Sequence, residues 1–497
     1  MRYAVTGTSS ALGTALGLAL AVASEAAVVA PAPLKTPDPL RASVVSVRIT
    51  GQEWNWRTPW AKQAPWNRVV TGLVVPGPRI LLASAAIGNH LLIEVQKLGR
   101  DERWPARVRL ADVEGPLALL EVDDPSFWTG LGPLPLAETV PISGEVKVYR
   151  WIRSGQFDAA TANVRQVRAA RHGLSRVSLP SLEMTSAMEG GDSEVVVGDG
   201  KALGLVTSRN GDALTAIASP ILRQFLKDAS EPTYPGFARA GVAWQEMTNP
   251  ALREDLGLRP GEGGVRLTRI LPHGSGAGVL EVGDVILSVG GVEIDPTGQF
   301  EHPLYGRLSC ALLFTEGHRP GDALDLGILR NRERLSVKIT LRRMLPEQEE
   351  IPPYVIGRGP DYAVVGGLVF QELTGPYLAA ASEGGRRPAP RLLIAVDREG
   401  AIPNPERPRI VVLTSVLPDA ANLGFQDLRD LIVTTVNGKP IGSLPELRRA
   451  LASPVGGYHV VEFLPGQGRG RLVLDVAEVE ASRDRVKNLY GVGSGAD

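Results

Sequence analysis

Short β-forming runs broken by turn residues repeat along the first half of this chain, and their spacing constrains the fold more than any other feature. Between residues 43 and 226 they fall at 44–49, 69–75, 79–82, 91–95, 117–122, 146–149, 195–197 and 202–206. Strands at such intervals fold as an antiparallel sandwich or barrel, because each buries one face and needs a partner sheet to cover it. Gly 56 and Pro 39 supply the turns and oppose long helices. Leu222-Arg223-Gln224-Phe225-Leu226 closes the segment as a short amphipathic helix. At 497 residues the chain exceeds one core, and a prior of roughly 150 residues per domain gives about three domains.

Charged residues at 22% and hydrophobic ones at 43% describe a globular chain rather than a disordered one. The net charge of −1 provides no global field for nucleic acid or an anionic membrane, so neither is expected as a partner. One cysteine, Cys310, excludes an internal disulfide framework, and its apolar surroundings in Leu308-Ser309-Cys310-Ala311-Leu312-Leu313 mark a buried thiol. Residues 1–30 combine Arg2, an apolar run over 11–22 and small residues after it, the pattern of a secretory signal peptide. An uncleaved membrane anchor is the alternative, although the apolar run falls short of the roughly 20 residues a spanning helix needs. Pro31, Pro33, Pro37 and Pro39 make 31–42 an extended linker, and no later segment is apolar enough to span a bilayer. A periplasmic or secreted location is the expectation.

The β-rich unit covers 43–230. A second unit, 236–345, has a helix at 249–256 with Pro250 in its first turn, strands at 265–270, 285–289 and 335–341, and a Gly290-Gly291 turn. The acidic, proline-containing stretch 346–353 reads as a linker. A third unit, 353–480, contains Leu431-Ile432-Val433-Thr434-Thr435-Val436 before an Asn437-Gly438 hairpin turn, then a helix at 444–451 capped by Ser443. Segments 384–391 and 403–408 read as surface insertions, and the tail 481–497 as poorly ordered unless docked.

Two ordered stretches carry a resemblance. One runs from Gly241-Val242 through Asn249-Pro250-Ala251-Leu252-Arg253 to Gly283-Asp284-Val285-Ile286; the other is Val365-Gly366-Gly367-Leu368-Val369-Phe370 with Leu373-Thr374 and Pro376-Tyr377-Leu378. With these, the chain resembles the HtrA/Deg family of serine proteases, nearest the plant Deg branch. The resemblance implies a mainly β protein, a chymotrypsin-like double β-barrel followed by two PDZ-like α+β domains. In the family a histidine ends a segment of the form I-L-T-N-A-H; here Ile80-Leu81-Leu82-Ala83-Ser84-Ala85 puts Ala85 in that place. The orienting acid precedes a run like L-A-L-L; here Pro116 precedes Leu117-Ala118-Leu119-Leu120. The nucleophile loop G-N-S-G-G-P reads Gly191-Asp192-Ser193-Glu194-Val195-Val196, which implies Ser193 as relict nucleophile and Gly191 with Ser193 as oxyanion donors. A small shift of the alignment places Gly191 in the serine's position instead.

A serine hydroxyl needs a neighbouring base to take its proton during attack, and neither alanine nor proline can accept that proton or orient an imidazolium. Glu194 and Val195 further add side chains to a sharp turn that favours glycine. His90 follows a Gly88-Asn89 turn signal and reads as leaving the site, and Asp112 and Glu114 lie just before Pro116. His172 belongs to a basic stretch with Arg165, Arg168, Arg171 and Arg176 and reads as a solvated loop residue. The six histidines show no metal-ligand spacing, so no metal or other cofactor is expected.

PDZ domains hold a C-terminal carboxylate on backbone N–H groups and add the peptide as a strand. The resemblance implies this role for Arg239, Ala240, Gly241 and Val242 in the first module and for Gly367, Leu368, Val369 and Phe370 in the second. Trp54, Trp56, Trp60 and Trp66 either cap a barrel end or serve contacts in a trimer-based homo-oligomer. The expected function is a pseudoprotease that binds unfolded or C-terminal peptide segments as a scaffold or chaperone-like component of protein quality control, alone or co-assembled with an active relative. The alternative is an active serine endopeptidase with Ser193 as nucleophile and a non-standard base.

Overall fold

The computed structural model describes residues 39–98, 100–151, 157–187, 192–382, 390–391, 393–395, 408–468 and 470–493. The signal-peptide reading of 1–30 and most of the linker lie outside these residues, as do nearly all of 384–391 and 403–408. Pro39–Ser43 forms a 3-10 turn that leads into the first strand.

The protein is mainly β. Strands β1 (Val44–Gly51), β2 (Trp66–Val75), β3 (Arg79–Ala83), β4 (His90–Gln96), β5 (Trp104–Pro105), β6 (Arg107–Asp112) and β7 (Leu117–Glu121) form one sheet in the order β5-β4-β1-β2-β3-β7-β6. Its two edges belong to one stretch of chain: β5 pairs with β4 and, past Ala106, β6 pairs with β7, so the sheet curls shut around Ile49, Ile80, Leu82 and Phe127. A single turn of helix, α1 (Pro125–Trp128), carries Phe127 inward. Strands β8 (Gly144–Trp151), β9 (Phe157–Ala170), β10 (Leu179–Thr185), β11 (Val195–Gly198), β12 (Lys201–Asn210) and β13 (Ala213–Ala218) form a closed barrel. A shared core that includes Leu73, Leu81, Leu119, Leu179, Ile217 and Phe225 fills the space between the halves. Phe225 comes from α2 (Ser219–Asp228), the amphipathic helix expected at this point.

The second unit is an antiparallel sheet of β14 (Val242–Glu246), β15 (Val265–Ile270), β16 (Val285–Val289), β20 (Ala323–Arg330) and β21 (Glu333–Thr340), with β17 (Val292–Glu293) paired to β16. The Gly290-Gly291 turn joins β16 to β17 with both residues at positive φ, as a tight hairpin requires. Strands β18 (Gln299–His302) and β19 (Gly306–Ser309) form a ribbon, and α3 (Pro250–Asp255) is capped by Asn249. Cys310 is buried, and burial pushes its thiol up to about 12, so it stays protonated and inert.

The third unit orders β22 (Tyr362–Val365), β23 (Leu368–Glu372), β24 (Val411–Val416), β25 (Leu431–Val436), β27 (Tyr458–Phe463) and β28 (Arg471–Asp475), with β26 (Lys439–Pro440) paired to β25 through the Asn437-Gly438 turn. Helices α4 (Gly375–Ala381) and α5 (Leu444–Leu451) pack on it. The tail is docked, the condition under which the sequence reading allowed it order. Residues 481–490 belong to α6 (Val476–Tyr490), capped by Asp475 and ended by Gly491 in the left-handed region. Val486 and Ser482 are buried, and Arg485 pairs with Asp419 at 2.8 Å. A serine on the buried seam hid the apolar spacing.

Candidate functional site

Two of the three family-implied triad positions meet at a cavity of about 360 Å³ between the barrels. Strand β3 runs into the 3-10 turn Ser84–Ile87, which presents Ala85, and the Ser84 N–H donates to the Pro116 carbonyl at 3.0 Å. Ala85 and Pro116 therefore sit side by side on the cavity wall, where they offer a methyl and a pyrrolidine ring.

Ser193 corrects the sequence reading. It is fully buried, its Oγ accepts the Ala83 N–H at 3.0 Å, and its own N–H donates to the Val206 carbonyl at 2.8 Å. The hydroxyl braces the wall from behind and does not line the cavity, and its committed N–H cannot stabilise an oxyanion. Its φ of 67° lies in the left-handed region that a serine adopts at a cost. Gly191, the other oxyanion residue, lies outside the described residues.

The histidine in this cavity is not the one that sequence proximity suggests. His90 begins β4, exposed, with Nδ1 at 2.9 Å from the Ile87 carbonyl. His172 lines the cavity and is buried rather than solvated. Its Nε2 lies 2.7 Å from Ser181 Oγ and its Nδ1 2.6 Å from Thr207 Oγ1. Ser181 donates its proton to the Leu179 carbonyl at 2.8 Å, so it accepts from Nε2–H and leaves Nδ1 to accept from Thr207. Burial, reinforced by the Arg168 charge, lowers the imidazole to about 4. The ring is a neutral, weakly basic strut between two hydroxyls. Nothing in the spacing of His172, Ser181 and Thr207 announces this contact, because the barrel ladder alone brings them together.

Asp112 and Glu114 are buried and structural. Asp112 accepts the Glu114 N–H at 2.8 Å and the Tyr234 hydroxyl at 2.7 Å. Glu114 accepts the Arg176 N–H at 2.6 Å and the Tyr354 hydroxyl at 3.2 Å, and burial raises its carboxyl above the usual range. Tyr354 and its neighbours Pro353, Val355 and Ile356 roof the cavity together with Pro376 and Ala379 of α4. The early tryptophan loop also binds the third unit. Trp60 Nε1 donates to the Tyr490 carbonyl at 3.1 Å, the Gln371 amide donates to the Trp56 carbonyl at 3.1 Å, and Arg57 pairs with Asp430 at 2.7 Å. These aromatics hold the third unit within the chain.

The loop Arg239-Ala240-Gly241-Val242 has the form of a carboxylate cradle. Gly241 has φ 68°, and a Cβ there would lie 2.4 Å from the Gly274 Cα, so only glycine fits. Among the described residues no acceptor is assigned to the Ala240 or Gly241 N–H. Strand β14 follows as an edge strand, paired only with β15. A pocket of about 90 Å³ lies against this loop, with Phe314 and Thr315 on its far side. The Arg239 side chain is not free for a ligand, because it pairs with Glu349 at 2.6 Å. Arg171 and Arg176, from the first unit, reach the pocket instead. Partial burial and the like charges of Arg176 and Arg239 lower the Arg171 guanidinium, against an opposing pull from Glu114.

The corresponding loop of the third unit is closed, which corrects the reading of Gly367, Leu368, Val369 and Phe370 as peptide contacts. Gly366 and Gly367, at φ 55° and 82°, form a two-residue hairpin turn that lays β22 along β23 with Val365 opposite Leu368. Strand β24 covers the other edge of β23, and Leu368, Val369 and Phe370 are all buried. The chain's own strand occupies the place a peptide would take.

Residues 351–496 match the family model of a PDZ domain. "Protease Do-like 2, chloroplastic" of Arabidopsis thaliana is 26% identical over 432 residues, which cover 85% of this chain and 69% of that protein. "Putative protease Do-like 3, mitochondrial" of the same plant is 24% identical over 412 residues, 82% of this chain and 71% of the relative. These likenesses support membership of the HtrA/Deg family. Among solved structures, "HtrA-type protease AlgW with decapeptide" matches with a TM-score of 0.46 at 17% identity, covering 61% of this chain and 98% of that one.

Proposed function

We propose that this HtrA/Deg chain is a pseudoprotease that binds carboxylate-terminated polypeptide segments through its first PDZ unit, as a scaffold or chaperone-like component. One observation carries the non-catalytic half. Ala85 and Pro116 face the cavity that a proton relay would occupy, while the Ser193 hydroxyl accepts a backbone N–H behind the wall. A nucleophile needs both access and a base within hydrogen-bond reach, and this arrangement offers Ser193 neither. The binding half rests on the free edge of β14, the unassigned N–H groups of Ala240 and Gly241, and the cations Arg171 and Arg176. A terminal carboxylate seated there would accept two charge-assisted hydrogen bonds while its backbone extends the sheet. The roofed cleft argues against bound polypeptide between the barrels and leaves β14 as the receiving edge.

The test is a fluorescence-anisotropy titration of random C-terminal peptides against the full chain. Saturable binding is expected, weakened at least tenfold by amidating the peptide or by Gly241→Val. Arg171→Glu with Arg176→Glu changes exposed side chains only, so its loss of binding is not a folding defect. Absence of binding, or binding indifferent to these changes, removes the PDZ reading.

A further inference from the structure

A cavity of about 510 Å³ in the third unit is walled by β22 on one side and by α6 and the end of α5 on the other. Its size suits a ligand rather than a stray water. Three features of its lining point to what that ligand is.

First, the wall contains an unused strand edge. Strand β22 pairs only with β23, and the two-residue turn makes Val365–Leu368 a hydrogen-bonded pair, as is Ala363–Phe370 two positions on. Tyr362 and Val364 therefore turn their backbone groups outward. The outward Tyr362 carbonyl accepts from Arg448 at 2.7 Å, and among the described residues no partner is assigned to the N–H of Val364. Second, buried polar atoms face this space unsatisfied. His459 is 7% exposed, and among the described residues its Nδ1 and the Arg448 Nε have no hydrogen-bond partner. Buried donors and acceptors rarely stay empty in a native protein. Third, the charge is lopsided. Arg483 and Lys487, one turn apart on α6, line the cavity with Arg448 against a single lining carboxylate, Glu480. Among the described residues, neither Arg483 nor Lys487 has an ion-pair partner. Val479 and Val486 supply apolar surface between them.

We propose that this cavity is a second polypeptide site, in which an extended segment adds to the free edge of β22 and sets its terminal carboxylate against Arg483 and Lys487. The outward N–H and carbonyl of Val364 fix the strand, small apolar side chains fill the space beside Val479 and Val486, and His459 supplies a neutral hydrogen-bonding group. Burial lowers the His459 imidazole, which keeps it uncharged at neutral pH. The site stands on residues remote in sequence from the Gly241 loop and does not depend on it.

The experiment uses the full chain and the peptide Gly-Gly-Ala-Val-Val, carrying an N-terminal benzophenone and a free carboxylate. Photo-crosslinks mapped by mass spectrometry are expected in residues 362–366 and 476–487. Their yield should fall at least tenfold with the C-terminal amide and with Arg483→Glu combined with Lys487→Glu. Val364→Pro removes the outward N–H, which β22–β23 pairing does not use, and should weaken capture well beyond Val364→Ala, the control for the lost side-chain packing. Circular dichroism of each variant verifies folding, and the charge reversals alter exposed positions. Crosslinks confined to residues 239–246 would overturn this site while leaving the first PDZ site intact. Equal capture of acid and amide, or indifference to the charge reversal, would also overturn it.

Discussion

His172 should make the protein acid-sensitive in a defined window. The perturbation is a fall in pH from 7 to 4, compared between the native chain and His172→Gln. In the unfolded chain the imidazole titrates near 6.5, whereas in the native state burial holds it down to about 4. Its folded pKa is depressed, so between those values the unfolded state binds the extra proton and stability falls as pH falls. Each pH unit in the window removes about 1.4 kcal/mol, about 3 kcal/mol in all, a sizeable part of a domain's usual margin. The assay is the urea midpoint of the barrel unit, followed by tryptophan fluorescence at half-unit pH steps. Glu114, whose carboxyl is raised by burial, pulls the opposite way at the acid end and remains in both proteins, so the difference isolates the histidine. Losing hydrogen bonds to Ser181 and Thr207 lowers the variant by about 1–2 kcal/mol at pH 7, but its profile between pH 6.5 and 4 should be flatter. Parallel slopes for the two proteins, or an imidazole resonance of His172 titrating near pH 6.5, would refute the argument.

Two further outcomes follow from the packing. Tyr354→Ala removes the roof of the inter-barrel cavity and the donor to Glu114, and should cost about 3–4 kcal/mol in denaturant melts. It should also raise acrylamide quenching of the tryptophans and binding of an apolar dye, with unchanged quenching contradicting the roof assignment. Asn437→Ala removes side-chain bonds to the Ala450 and Ser453 carbonyls and the Val460 N–H, and should lower third-unit stability by about 2–3 kcal/mol.

The architecture was largely legible because it is written in local signals. Alternating strands, the Gly290-Gly291 and Asn437-Gly438 turns, and the cap at Ser443 all appear where propensity and turn chemistry put them. The strands that place Ala85 and Pro116 were legible for the same reason, since Arg79–Ala83 and Leu117–Glu121 are intact β sequences. What the sequence concealed depends on distant pairing. The identity of residue 193 says nothing of which way its hydroxyl faces, and only the Ala83 contact across 110 positions reveals that it points inward. The sequence left the state of the second PDZ groove open to either outcome, because Gly366-Gly367 serves a carboxylate loop and a two-residue hairpin equally well. The seating of β22 against β23 decides between them. Arg239 seemed available until Glu349, 110 residues on, was found to hold it.

The proposal's central claim is that, among the described residues, no hydroxyl at the inter-barrel cavity is both accessible and activated. It is tested most directly by treating the purified full chain with a fluorophosphonate, reading intact mass, and following release from quenched fluorescent casein in the same preparation. The account predicts no adduct and no release above the buffer rate. A stoichiometric adduct on Ser193 or Thr207, with casein release abolished by Ser193→Ala or His172→Gln, would contradict it.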